Sequence, residues 1–94
     1  MLKKLDPLLH SELRLAIMSL LISVKKAEFT YLKEQTEATA GNLSVQVTKL
    51  ENAAYIIVEK GYKGKMPQTV CTITEKGIEA FEKYVKDLKE YLKL

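Results

Sequence analysis

The sequence contains only one cysteine, one histidine and no tryptophan in 94 residues. Because Cys71 has no second cysteine to pair with, an internal disulfide is excluded. His10 and Cys71 are too few and too far apart in sequence for a metal site, which needs three or four ligands. Neither a catalytic Ser-His-Asp set nor a glycine-rich phosphate loop can be recognised. We therefore expect no metal, no cofactor and no enzymatic activity.

Long apolar segments are also missing. The longest apolar stretch, residues 15–24, is interrupted by Ser19 and Ser23. It falls short of the roughly 20 residues that cross a bilayer, and no signal-peptide pattern appears at the start. Together with the single cysteine, these features predict a cytoplasmic protein with no membrane partner.

Charge of either sign is only weakly in excess, with 15 basic and 12 acidic residues and a net charge of +3. Such a balance is compatible with a polyanionic partner but does not by itself indicate one. A local cluster is more informative, because Lys60, Lys63 and Lys65 lie close together with no acidic residue among them. The length and the 47% hydrophobic content predict one domain, residues 1–94, with one core.

The first part of the chain predicts two helices. Asp6, which is followed by proline, marks one helix start, and Ser11 marks the start of a main helix over about 11–24. Apolar residues surround this helix, so we expect its own core to cover one side and a partner subunit the other. Arg14, the only arginine, is expected on its surface. A minimal strand over 29–30 and a short helix over about 31–38 should follow.

The segment 39–51 predicts a helix with an unusual outer face. Leu43, Val47 and Leu50 form an apolar stripe, and Thr39 is a suitable N-cap for a helix over about 40–53. The outer face carries polar residues and little charge, namely Asn42, Ser44, Gln46, Thr48 and Lys49. Asn, Gln, Ser and Thr side chains donate and accept hydrogen bonds, as the reading of base edges requires. An ordinary solvated helix face is the alternative. With the preceding helix and turn, the segment has the pattern of a helix-turn-helix.

From Tyr55 onward the apolar period changes to two, which predicts a β-hairpin. The connection between its strands is rich in glycine and lysine, and its length predicts a projecting loop instead of a tight turn. We place this wing at about 61–69. Cys71 falls on the inward side of the second strand, where a small buried side chain is expected.

The last segment predicts a helix over about 75–93, capped by Thr74. Its apolar residues Ile78, Phe81, Val85, Leu88 and Leu92 recur with heptad spacing, and Tyr84 and Tyr91 widen the stripe. This pattern favours dimerisation through the helix. The alternative is that the first part of the stripe only closes the domain core.

The order of these elements resembles that of the small MarR/ArsR-like winged-helix transcriptional regulators of bacteria and archaea. The resemblance covers nearly the whole chain and is carried by segments 6–18, 39–44, 49–56 and 72–77. It implies a mainly α fold with a small β-hairpin, a winged helix-turn-helix with a long C-terminal dimerisation helix. It also implies a homodimer on double-stranded DNA, with recognition helices in successive major grooves and wings at the flanking minor grooves or backbone.

On this interpretation two sets of residues are functional. The predicted DNA contacts are Thr39, Asn42, Ser44, Gln46, Thr48, Lys49, Lys63, Lys65 and Gln68. Gln46 and Asn42 are the first candidates for reading bases, because either amide can bind adenine with two hydrogen bonds. The predicted dimer interface contains Leu5, Leu8, Leu9, Met18, Phe81, Tyr84, Val85, Leu88, Tyr91 and Leu92.

The chain departs from the family pattern in three places, and two other functions stay open. Gln46 stands where many relatives have histidine, Ala54 where they have glycine, and Lys65 where the wing often has arginine. Lysine lacks the planar fork suited to the minor groove but retains phosphate contact. One alternative is a winged-helix module that binds proteins and not DNA. The other is a regulator with a small-molecule effector pocket at the dimer interface, lined by Met18, Tyr84 and Tyr91.

Overall fold

The computed structural model describes residues 2–93 of the chain. It contains seven elements in the order α1 (Glu12–Val24), β1 (Lys26–Glu28), α2 (Phe29–Thr36), α3 (Ala40–Asn52), β2 (Ile56–Lys63), β3 (Met66–Ile73) and α4 (Glu75–Leu92). The strands form one antiparallel sheet in the order β1-β3-β2. Four helices with a small sheet confirm the predicted winged helix-turn-helix fold.

The core lies between α1, α2, α3 and the base of the sheet. It is built from apolar side chains with little or no solvent exposure, which are Leu9, Ile17, Met18, Leu21, Leu32, Leu43, Val47, Leu50, Ile56, Cys71, Ile73 and Tyr84. The apolar stripe predicted for α3 is confirmed, because Leu43, Val47 and Leu50 are its buried residues. The predicted inward position of Cys71 is confirmed as well.

The segment before α1 forms a single turn and not a helix. Asp6 caps this turn, since its carboxylate accepts from the Leu8 amide at 2.9 Å and its carbonyl accepts from the His10 amide at 2.9 Å. Ser11 then occupies the N-cap position of α1 in an extended conformation. The predicted start of α1 is therefore confirmed to within one residue, whereas the helix start at Asp6 ends after one turn.

The first strand lies earlier than the sequence predicted. β1 pairs with β3 through Lys26–Thr72, Ala27–Cys71 and Glu28–Val70, and residue 29 already begins α2. The prediction of a strand over 29–30 was wrong because a three-residue strand shows no period of two. Its position depends on pairing with a strand more than 40 residues later in the chain.

The predicted helix-turn-helix pattern is present, with α2 two residues earlier than the predicted 31–38. α2 ends at Thr36, and the left-handed backbone of the next residue, Glu37 (φ 58°), reverses the chain. Thr39 caps α3, because its hydroxyl accepts from the Asn42 amide at 3.1 Å. The cap and the buried stripe together explain why α3 begins at the predicted residue.

The wing is an extended hairpin and not an open loop. Its strands stay in register up to the pair Lys63–Met66, and only Gly64 and Lys65 form the turn. Gly64 has a φ of 65°, as the first central residue of a type II′ turn requires. The predicted loop was wrong because Gly64 permits a tight turn, so the residues on either side of it continue the ladder.

The last helix, α4, contributes Tyr84 to the core and ends at Leu92, which is exposed. Thr74 caps it by accepting from the Gly77 amide at 3.0 Å. The N-terminal segment packs along α4, where the Tyr84 hydroxyl and His10 Nδ1 are 2.8 Å apart and the Tyr91 hydroxyl donates to the Lys3 carbonyl at 2.7 Å. A hydrogen bond from Lys83 at 2.6 Å lowers the pKa of Asp87 on the same helix.

Three of the ten predicted interface residues are already covered within one chain. Leu9 and Met18 are fully buried and Tyr84 is 4% exposed, so they offer almost no surface to a partner. The burial of Met18 and Tyr84 also removes them from the lining of any open effector cavity. The other seven, Leu5, Leu8, Phe81, Val85, Leu88, Tyr91 and Leu92, retain exposed or partly exposed surface. Only these seven remain in the proposed interface.

Candidate nucleic-acid interface

The outer face of α3 lies opposite the buried stripe and reaches solvent. With 3.6 residues per turn, Gly41, Val45, Thr48 and Asn52 are the residues furthest from the core. All four are exposed, and Val45 keeps 52% of its surface open. Val45 is absent from the predicted contacts because only polar residues were selected as readers of base edges. The sequence did contain a sign of its role, because Val45 is an apolar residue that lies outside the apolar stripe of the helix.

One flank of α3 faces the wing across a cleft. The polar residues that line the cleft are Ser44, Thr48 and Glu51 from α3 with Lys60 and Thr69 from the hairpin, and Phe29, Val47 and Val58 form its apolar floor. The cleft has a volume of about 230 Å³. The cleft is therefore large enough to hold several water molecules.

Strand alternation decides which wing residues face this cleft. The pairs Val58–Cys71 and Lys60–Thr69 belong to the same face of the hairpin, the face that packs toward α3. Lys63 and Gln68 belong by alternation to the opposite face. Lys65 lies in the turn. The structure therefore brings Lys60 beside α3, whereas the predicted contacts Lys63 and Gln68 lie on the far side of the sheet.

Lys60 was not among the predicted contacts although its lysine cluster was recognised. Strand parity would have separated it from Lys63, since residues two apart share a face and residues three apart do not. Because this segment was predicted as a loop, the alternation of faces along a strand could not be applied to it. Tyr62 is on the same face as Lys60 and is 75% exposed near the wing tip.

The other flank of α3 is tied to α1 by hydrogen bonds. Arg14 donates from Nε to the Leu8 carbonyl at 2.6 Å and from Nη1 to Gln46 Oε1. Gln46 in turn donates from Nε2 to Asn42 Oδ1 at 3.1 Å. Arg14 is therefore a partly buried linker and not a free surface residue. Each end of the Gln46 amide already makes one hydrogen bond, so Gln46 is less available to a base than the sequence predicted.

The remaining predicted helix contacts are exposed. Thr39 uses its hydroxyl as the cap of α3, and the Thr48 hydroxyl donates to the Ser44 carbonyl at 2.9 Å. Ser44 and Lys49 are also exposed on the outer side of the helix. These residues offer acceptors, donors and one positive charge along nearly three turns of helix.

Shifted pKa values belong to residues away from this surface. Burial, with a hydrogen bond to Asp6 at 2.6 Å and its charge, raises the pKa of Tyr55 to about 12. Burial, together with the charge of Glu51, raises the pKa of the Cys71 thiol to about 11. The thiol is therefore protonated and unreactive at neutral pH.

Within residues 2–93, no group of three or more His, Cys, Asp or Glu side chains is placed to hold a metal ion. In the same part of the chain, no helix is both long enough and apolar enough to cross a membrane.

The sequence model of the winged helix DNA-binding domain family matches residues 13–92, which is most of the chain. The protein therefore belongs to the winged helix DNA-binding domain family. This membership confirms the resemblance to winged-helix regulators stated from the sequence, and it places the chain in a DNA-binding family instead of a family of enzymes.

Individual relatives include archaeal proteins of similar length. The uncharacterized protein MJ0432 of Methanocaldococcus jannaschii is 35% identical over 85 residues, which cover 89% of this chain and 91% of the relative. The solved transcriptional regulator homologue from Pyrococcus horikoshii is 30% identical with a TM-score of 0.84, over 93% of this chain and 89% of that one.

The fold extends to bacterial regulators with lower identity. AbsC, a MarR family transcriptional regulator from Streptomyces coelicolor, is 21% identical with a TM-score of 0.65, over 84% of this chain and 56% of that one. At this identity the likeness concerns the fold alone.

Proposed function

We propose that the protein is a dimeric, sequence-specific DNA-binding regulator of transcription. In this proposal α3 enters the major groove and the wing contacts the adjacent backbone or minor groove. The observation that carries the proposal is the cleft in which Lys60 faces the exposed polar flank of α3. Lys60 beside the uncharged polar side chains of Ser44 and Thr48 matches the combined needs of phosphate contact and base reading, with Glu51 as the one acidic residue of the cleft.

The contacts divide into two classes. Lys60, with Lys65 at the turn, is suited to phosphate oxygens, and Thr69 can donate a hydrogen bond there. The exposed outer side of α3 is suited to base edges, with contacts from Asn42, Val45 and Thr48. Phosphate contacts set the position on the duplex, and the α3 residues supply the sequence preference.

Dimerisation is supported by apolar surface left open on α4. Leu92 is 69% exposed and Tyr91 is 39% exposed, and Leu88 lies one turn earlier on the same helix. A second copy would cover this surface and present two α3 helices. Half-sites would then lie about one helical turn, ~34–36 Å, apart.

Selection from random duplex DNA at physiological salt tests binding, symmetry and spacing together. We expect enrichment of a pseudo-palindrome with half-sites one turn apart. If the dimer neutralises roughly six phosphates, the slope of log affinity against log salt should be about −5. A dimer that retains no duplex DNA even at low salt would instead fit the alternative of a protein-binding module.

The dimer itself is tested by Leu92→Glu, measured by sedimentation. Because Leu92 is exposed in the single chain, the variant should fold yet sediment as a monomer. Lys93→Glu makes a charge change at the neighbouring residue and should remain dimeric. Equal dimer stability in both variants would contradict a seam through Leu92.

A further inference from the structure

A chain of three polar side chains runs from the N-terminal turn to the exposed face of α3. We call Arg14, Gln46 and Asn42 the amide relay. Its links are Arg14 Nη1 to Gln46 Oε1 and Gln46 Nε2 to Asn42 Oδ1, the second at 3.1 Å. Arg14 and Gln46 are partly buried, whereas Asn42 is exposed. The relay therefore ends on the surface proposed to meet DNA.

The chemistry of arginine gives the relay one direction. A guanidinium only donates hydrogen bonds, so the group that Gln46 turns toward Arg14 must be its carbonyl oxygen. The NH₂ group of Gln46 then points toward Asn42, where it needs an acceptor, and Asn42 turns Oδ1 inward. Flipping either amide would set donor against donor. Asn42 must therefore direct its NH₂ group outward.

The far end of the relay is held firmly. Arg14 Nε donates to the Leu8 carbonyl at 2.6 Å, and Leu8 belongs to the turn capped by Asp6. The other carboxylate oxygen of Asp6 accepts from the Tyr55 hydroxyl at 2.6 Å. Because Arg14 is held on two sides, it is not free to swing toward DNA. Its influence on DNA has to pass through Gln46.

An outward NH₂ group changes what Asn42 can recognise. Binding adenine with two hydrogen bonds requires an amide that donates to N7 and accepts from the N6 amino group. In the relay the Asn42 oxygen already accepts from Gln46. Guanine presents two acceptors, N7 and O6, in the major groove, and both suit an amide that only donates. Cytosine presents an amino donor and is disfavoured.

We propose that Arg14 is a positioning residue for sequence recognition, which through Gln46 makes Asn42 a hydrogen-bond donor and so selects guanine over adenine at the base that Asn42 meets. The inference rests on the proposed function, because it assumes that α3 lies in a DNA groove. It adds a residue outside the recognition helix that determines specificity without touching DNA.

Gln46→Glu is the sharpest test because a carboxylate only accepts hydrogen bonds. The new carboxylate would accept from Arg14 and also from the NH₂ group of Asn42, which turns the Asn42 oxygen outward. The preferred base should change from guanine to one that offers an amino group, adenine or cytosine. The readout is the ratio of affinities for duplexes that differ at this base pair, so a general loss of affinity from the added charge cancels.

Three further variants calibrate the test. Asn42→Ala removes the preference at one base pair in each half-site and thereby identifies the pair that Asn42 reads. Arg14→Lys keeps a group that only donates and should retain guanine. Arg14→Met removes the donor, frees both amides to flip, and should reduce the discrimination between guanine and adenine, expected to be on the order of tenfold, to near one.

The outcomes separate the inference from the function on which it rests. If the unchanged chain enriches no sequence, the proposed function and this role of Arg14 fail together. If it enriches a sequence but Gln46→Glu and Arg14→Met prefer the same base by the same ratio, only the relay is overturned. Melting curves for each variant establish that the chain is folded when it is assayed.

A measurement without DNA tests the relay directly. In nuclear magnetic resonance spectra of the free protein, the Arg14 Nη–H that donates to Gln46 and the Gln46 side-chain NH₂ should exchange with solvent more slowly than the same groups of an unpaired side chain. Arg14→Met should remove the protection of the Gln46 signal. Rapid exchange of both groups in the unchanged chain would overturn the relay whatever the DNA selection shows.

Discussion

The two flanks of α3 are equally polar in sequence but differ in the structure. On one flank, Gln46 and Asn42 are joined by hydrogen bonds to each other and to Arg14 of α1. On the other flank, Ser44 and Thr48 border an open cleft opposite Lys60. Hydrogen bonds fix the side chains of the first flank before any ligand binds, whereas the side chains of the second flank can rearrange when a ligand binds. Polar residues at helical spacing therefore do not reveal which of them are free to bind.

The largest expected effect is on stability, and it should separate the two flanks. Arg14→Met removes hydrogen bonds to Leu8 and Gln46 in a partly buried position, and should lower the free energy of unfolding by about 2 kcal/mol. For a domain of this size the melting temperature should fall by roughly 10 °C. Ser44→Ala, on the open flank, should change stability by less than about 0.5 kcal/mol. If Arg14→Met and Ser44→Ala lower the melting temperature equally, the two flanks do not differ in their contribution to stability.

The next effect concerns the open flank and DNA affinity. Lys60→Glu reverses a charge that faces the cleft beside α3, and should weaken binding about tenfold and reduce the salt slope by about 1 for each phosphate that is no longer neutralised. Lys63→Glu is the matched control, because it makes the same charge change on the other face of the hairpin. It should weaken binding only about twofold to threefold, through general electrostatics. Equal losses in a titration would show that the face of the wing does not matter.

A smaller effect concerns a contact that helps to hold the flank of α3 formed by Gln46 and Asn42. Tyr55→Phe removes the hydrogen bond to Asp6, which caps the turn that holds Arg14, and should cost about 1 kcal/mol at neutral pH. The folded protein raises the pKa of Tyr55 from 10.0 to about 12. Above pH 10 the unfolded chain loses the phenol proton while the folded chain keeps it, so stability falls as the pH rises toward 12. The difference in melting temperature between the two proteins should therefore shrink over this range.

Only the difference between the two proteins is informative, because every other side chain is common to both. A difference that stays constant from pH 8 to pH 12 would contradict a phenol held protonated by burial and by Asp6.

How much of this arrangement the sequence predicts depends on the range of the interactions involved. α3 was predicted almost residue for residue, because its stripe and its Thr39 cap are local features. The position of β1 and the register of the wing were not predicted, because both depend on pairing between strands. The contact between Arg14 and Gln46 spans 32 residues, and no local pattern indicates it. The candidate site was therefore predicted as a helix face, but not as two unlike flanks with Lys60 on one side.

The smallest effect concerns Val45, which lies at the outermost point of α3 between the two flanks. Its exposed methyl groups have no hydrogen bond to offer, so their partner in a major groove is the methyl group of thymine. Val45→Ala should weaken binding to the selected site by about threefold, which corresponds to an apolar interaction of under about 1 kcal/mol. The folded chain should not become less stable, because alanine favours a helix more than valine does.

Replacing each thymine in turn by deoxyuridine removes the partner methyl group instead. At one position the unchanged protein should lose about threefold while Val45→Ala loses nothing further, since the two changes delete the same interaction. Independent, additive losses at every thymine would show that Val45 meets no base, and α3 would then read DNA by its flanks alone.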